Sequence, residues 1–126
     1  RSGKVRMYAV LCIDDQVRSM SALSIIVRSC GYICLSAQDT EEAVAAYSES
    51  KVDLVILNND LVGGNALALA KRLKQLSNTP LILLSGTSVV EKPLNVDLVV
   101  HKPIEPRDFT KMLQWIVSKS RSASVA

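Results

Sequence analysis

No stretch of this 126-residue sequence approaches the roughly 18 consecutive apolar residues of a membrane-spanning helix. Its start also lacks the basic, apolar and small-residue succession of a secretory leader. A soluble, cytoplasmic chain is expected, with no membrane contact. The three cysteines, Cys12, Cys30 and Cys34, are odd in number and sit in apolar surroundings, with no CxxC spacing and no histidine cluster. This pattern argues against a disulfide framework or a zinc site, and the three read as buried thiols. Internal repeats and a phosphate-cradling loop are also missing.

What is present is enough apolar material for one domain with a sizeable core: 48% of the residues are hydrophobic. The formal charge of +3 matters less than its location. Arg1, Lys4 and Arg6 precede the first apolar run, and Lys111, Lys119 and Arg121 lie near the end. Residues 7–110 hold nine basic and twelve acidic side chains, a balance that gives no reason to expect a nucleic-acid surface. Residues 1–6 read as an N-terminal tail, either vector sequence or the edge of a longer protein. Residues 7–119 form the domain, and the small, serine-rich residues 120–126 read as a frayed C-terminal tail.

Strand and helix patterns alternate along the chain. Tyr8 to Ile13 is a short apolar run ending in Asp14-Asp15, as a buried strand would. In Gln16 to Cys30 the residues Met20, Leu23, Val27 and Cys30, flanked by Val17 and Ile26, share one helical face, and Gly31 ends it. Tyr32 to Ala37 is a second strand. Asp39 with Glu42 three residues on predicts a capped helix to about Ser48. Val52 to Leu57 leads to Asn58 and a loop with Gly63-Gly64, after which Leu69, Leu73 and Leu76 give a third helix its stripe. Pro80 precedes the strand Leu81 to Leu84, which ends at Ser85-Gly86, and Leu98 to Val100 is a fifth strand. Pro106 opens a last helix with an inward stripe of Phe109, Met112, Leu113, Ile116 and Val117, running to about Lys119.

Five apolar strands separated mostly by amphipathic helices predict an α/β fold with a parallel sheet. Such sheets bind ligands at the carboxyl ends of their strands, where the strand order reverses. Asp14, Asp15, Asn58, Ser85 and Lys102 all fall at those ends.

The order and spacing of Cys12-Ile13-Asp14-Asp15, Asp53-Leu54-Val55-Ile56-Leu57-Asn58, Leu81-Ile82-Leu83-Leu84-Ser85 and His101-Lys102-Pro103 resemble the receiver domain of two-component response regulators. The likeness runs over essentially the whole chain. It implies a flavodoxin-like, doubly wound sheet of order 2-1-3-4-5. It also implies that the acidic pair Asp14 and Asp15, with the backbone carbonyl of Asp60, belongs to a Mg²⁺ site. An aspartate at the position of Asn58 would take a phosphoryl group from a histidine kinase, Ser85 and Lys102 would contact that group, and a cis Lys102-Pro103 bond would aim the lysine.

Three departures stand against that pattern. Asn58 replaces the acceptor: an amide nitrogen is not nucleophilic and an amide oxygen carries no charge with which to attack phosphorus. The change also removes a charged oxygen that Mg²⁺ prefers, so metal binding is expected to be weak or lost. Val99 stands where the family carries a switching aromatic. Only twelve residues, Gly86 to Asp97, join the fourth and fifth strands. The fourth helix is therefore expected to be shortened or absent, with at most one turn around Val89 to Lys92, and either Val89, Val90, Leu94 and Val96 or a bound partner is left to cover the exposed sheet.

The expected function is a receiver-like protein-interaction or regulatory module that works without phosphorylation, is not an enzyme, and meets a histidine kinase or an output domain. The alternative is a phosphorelay receiver that is still phosphorylated on another carboxylate such as Asp60, two residues past the strand end. Blander roles are weighed beside these. Asp15 caps the next helix, Lys102 neutralises Asp14 and Asp15 in a fixed charge network, His101 lies at a strand edge, and Trp115 is half-buried on its helix.

Overall fold

A computed structural model describes residues 7–87 and 91–125, with side chains through Ser120. Nine elements follow one another: β1 (Ala9–Ile13), α1 (Val17–Ser29), β2 (Ile33–Ala37), α2 (Thr40–Glu49), β3 (Leu54–Asn58), α3 (Ala66–Leu76), β4 (Leu81–Ser85), β5 (Leu98–His101) and α4 (Pro106–Val125). The strands form one parallel sheet in the order β2-β1-β3-β4-β5. The expected flavodoxin-like topology is the observed one.

Alternate residues of the three central strands feed two separate cores, as the two-residue period of a strand requires. Leu11, Ile13, Val55, Leu57, Leu81 and Leu83 pack with Ala43 and Tyr47 of α2 and Leu69, Ala70 and Leu73 of α3. On the other face, Val10, Cys12, Leu54, Ile56, Ile82 and Leu84 pack with Leu23 and Val27 of α1 and Phe109, Leu113 and Val117 of α4. Every residue of β1, β3 and β4 is buried, whereas the edge strands β2 and β5 are partly open.

The helix ends have local causes. Gly31, at φ +86°, lets α1 stop, with its N–H donating to the Arg28 carbonyl at 2.9 Å. Asp39 Oδ1 accepts from the Glu42 N–H at 2.8 Å, and Glu42 reaches back to the Gln38 N–H at 2.9 Å.

Several sequence expectations need correction. Val17 and Leu76, assigned to buried stripes, are exposed: each is a terminal residue of its helix. Helix α4 continues past Lys119 to Val125, so residues 120–125 are helical rather than a frayed tail. No glycine or proline follows Pro106 to end it, and its small residues tolerate a helix. Trp115 is exposed, not half-buried, with the Lys119 ammonium 5.2 Å from its ring centre.

Among the described residues no helix lies between β4 and β5, and the fourth helix in chain order is the one that follows β5. Val89 and Val90 of the expected single turn lie outside the described residues. The connection closes with Asn95 at φ +68° and with Val96, whose side chain is buried against the α2–α3 face of the sheet. Asp97 then accepts from the Leu81 N–H and the Lys74 ammonium. Val96 covers the sheet as expected; Leu94 points to solvent and does not.

Candidate functional site

The carboxyl ends of β1 and β3, neighbours on opposite sides of the reversal in strand order, bring Asp14 and Asn58 together in the interior. Asn58 Nδ2 donates to Asp14 Oδ1 at 3.1 Å, and the same oxygen accepts the Gln16 N–H at 2.9 Å. Asn58 Oδ1 accepts from Lys102 Nζ at 2.5 Å and from the Asp60 N–H at 3.2 Å. The amide thus hands a donor to a carboxylate and an acceptor to an ammonium. With its ends exchanged, it would face both charges with the wrong polarity.

Lys102 follows β5, and the Lys102-Pro103 peptide is cis. Its ammonium also pairs with Asp60 Oδ2 at 3.1 Å, an oxygen that accepts the Gly86 N–H at 2.8 Å. Burial pushes the Asp60 carboxyl up, but the Gly86 N–H and Lys102 outweigh it and hold the group below its ordinary value of 3.8. The glycine leaves room for this contact: a Cβ at Gly86 would lie 3.1 Å from Asp60 Oδ2, and the carboxylate would have to give by a few tenths of an ångström. Sequence reasoning missed Gly86; its place directly after Ser85 at a strand end was the available signal.

The predicted residues do not all converge. Lys102 makes no bond to Asp14 or Asp15, because the Asn58 amide and the Asp60 carboxylate take its ammonium first. Asp15 caps nothing on α1, whose N-cap is Gln16 without a side-chain bond. It turns instead to the β3–α3 loop, accepting from the Val62 and Gly63 N–H groups at 2.8 and 3.0 Å. The fully buried Ser85 donates to the Thr87 carbonyl at 2.9 Å and accepts from Asn59 Nδ2 at 3.3 Å. His101 is exposed at the sheet edge as expected.

A divalent cation finds part of what it needs. Asp15 Oδ1 is buried without a hydrogen-bond partner among the described residues, an orphan that a cation would satisfy. Asp14 and Asp15 supply two carboxylates, within what Mg²⁺ accepts when it keeps several waters. Among the described residues no group of three or more His, Cys, Asp or Glu side chains converges as a metal site.

A doubly wound parallel sheet with acidic residues after β1, a buried polar residue at the end of β3 and a lysine after β5 defines a flavodoxin-like domain with its site at the switch point. The family model for the response regulator receiver domain matches residues 10–114, and the chain belongs to that family.

The chain is 27% identical over 119 residues to the phosphate regulon transcriptional regulatory protein PhoB of Pseudomonas aeruginosa, a match covering 88% of this chain and 52% of that one. It is 29% identical over 116 residues to the aerobic respiration control protein ArcA of Escherichia coli, covering 88% and 49%. The chain therefore spans about half the length of these curated relatives. Among solved structures, a CheY-like receiver domain from Methanospirillum hungatei superposes with a TM-score of 0.84 at 18% identity, over 94% of this chain and 99% of that one. The response regulator TrrA of Thermotoga maritima, in complex with Mg²⁺ and BeF, gives 0.78 at 24% identity, over 87% and 99%. Among the described residues no helix is long and apolar enough to cross a membrane.

Proposed function

We propose that this receiver domain is a pseudo-receiver, an interaction or regulatory module that works without being phosphorylated. The observation that carries the reading is the Asn58 amide, tied at once to Asp14, Lys102 and the Asp60 backbone. A phosphoryl acceptor must be a nucleophile with a free lone pair and room in front of it. Asn58 is neither nucleophilic nor free. Lys102, the cation suited to receive a phosphoryl oxygen, is spent on Asn58 and Asp60.

Two carboxylates with one unmet oxygen support a weak Mg²⁺ site at Asp14 and Asp15, with the Asp60 carbonyl as third ligand on the family pattern. When bound, Mg²⁺ would offset their mutual repulsion. In this reading Ser85 and Lys102 are relics of phosphoryl contact that now serve local structure. The partner is a histidine kinase or an output domain; PhoB and ArcA, about twice as long as the matched segment, favour an output domain in the same polypeptide.

Incubation with a small phosphoryl donor and Mg²⁺, followed by intact mass, tests the reading. The expected spectrum shows the unmodified chain alone. A stoichiometric phosphate adduct overturns the proposal, and its loss on Asp60→Asn would establish the alternative acceptor.

A further inference from the structure

Cys34 and Cys12 play no part in the site above, yet they stand together. Cys12 pairs in register with Ser36, and Cys34 with Val10, so the two cysteines are diagonal neighbours on β1 and β2. Both face the α1–α4 side of the sheet, and their sulfurs are 3.6 Å apart. Cys34 is partly exposed on the edge strand, whereas Cys12 is fully buried behind it. The Ser24 hydroxyl lies 3.5 Å from Cys34 Sγ.

We infer that Cys34 is a modification site for peroxides, with Cys12 as the thiol that resolves the oxidised form into a β1–β2 disulfide. The contact with Cys12 is the main influence lowering the Cys34 thiol from 9.0 to about 6, and the same contact holds the buried Cys12 up as the protonated partner; burial opposes the fall of Cys34, and Ser24 and Arg28 add to it. The thiolate is the reactive form, and a partly exposed edge position lets a small oxidant reach it.

The chemistry balances. The Cys34 thiolate attacks one peroxide oxygen, the O–O bond breaks, and the departing hydroxide takes a proton to become water. Sulfur is oxidised to the sulfenic acid as the peroxide is reduced. Cys12 sulfur then attacks the Cys34 sulfur, the S–O bond breaks, and the hydroxide leaves with the Cys12 proton as a second water. The sulfurs need to close by roughly 1.5 Å to reach the bond length of about 2.05 Å. Thiol–disulfide exchange would break the bridge again, which makes the modification reversible. The bridge would tie the edge strand to β1, the strand that leads into Asp14.

Treatment of the chain with hydrogen peroxide, then thiol alkylation and peptide mapping, tests the assignment. Cys34 is expected to react roughly tenfold faster than Cys30, and the product to lose two hydrogens and yield a Cys12–Cys34 cross-linked peptide. Cys12→Ala should abolish the cross-linked peptide; because it also removes the contact that lowers Cys34, oxidation should be slower and should stop at one added oxygen on Cys34, trapped by dimedone. Should that variant fail to fold, the pH dependence of Cys34 alkylation in the unaltered chain is the second readout, with its midpoint expected below that of an ordinary thiol. Equal reactivity at Cys30, a disulfide that includes Cys30, or a Cys34 alkylation midpoint above about pH 8 would each overturn the inference.

Discussion

At the scale of single residues, Asn58 is a fitted part of its pocket. Its amide gives Asp14 a donor and Lys102 an acceptor, which a carboxylate could do only in half. Asn58→Asp would set two carboxylates against each other in the interior, since Asp14 and Asn58 are both almost wholly buried. Without metal the variant should lose about 1–3 kcal/mol of stability. Mg²⁺, held by these carboxylates, would supply the opposing charge and should return most of it. Thermal unfolding with and without Mg²⁺ reads both effects; equal stability in the two conditions would mean that the pocket cannot admit the ion.

Asp60 gives a second prediction at the same scale. Its carboxyl is depressed below 3.8, so its contribution to stability is fully present above that pH and is lost as the pH falls through its own lower value. Lys102→Met removes two of the lowering influences and leaves burial opposed only by the Gly86 N–H. The Asp60 carboxyl should then titrate at a higher pH, and the acid-side loss attributable to it should shrink. Carboxyl chemical shifts through an acid titration of both proteins check the direction.

At the scale of elements, what was legible was whatever a short window of sequence contains. The capping pair at the start of α2 is such a case, and Asp39→Ala should cost about 1 kcal/mol in denaturant unfolding. The buried stripes of α1, α3 and α4 were legible in their middle turns and misjudged at terminal Val17 and Leu76, because a helix end on the apolar face can still project beyond the sheet. The end of α4 was misplaced because serine and alanine carry no stop signal. In the site, the positions were legible and the connections were not. Motif spacing put Asp14, Asp15, Asn58, Ser85 and Lys102 at strand ends and Asp60 two residues past one, but only three-dimensional placement shows Lys102 choosing Asn58 and Asp60 over the acidic pair, or Asp15 reaching across to the β3–α3 loop. The pairing of Cys12 with Cys34 was hidden for the same reason, since two residues on adjacent strands meet only through the register.

At the scale of the whole molecule, the question is whether an event at the rim could travel. Val99, the residue that the receiver likeness sets where a switching aromatic is expected, packs against the α2–α3 core, and β4 passes to β5 without a helix among the described residues. A rotamer switch needs a side chain with two distinct resting places and an element that repacks when it moves. The short β-branched Val99 offers only staggered positions of much the same volume. Val96 is already buried in the core, and Asp97 pins its end of the connection to Leu81 and Lys74. Even a repaired site should therefore remain mute. In Asn58→Asp loaded with Mg²⁺ and beryllofluoride, amide chemical-shift changes should stay within the residues around Asp14, Asn58, Ser85 and Lys102 and should leave β5 and the connection before it unmoved. Shifts spreading through Val96 to Val100 would show that the fold keeps a second state, and that substitution at Asn58 alone had silenced it.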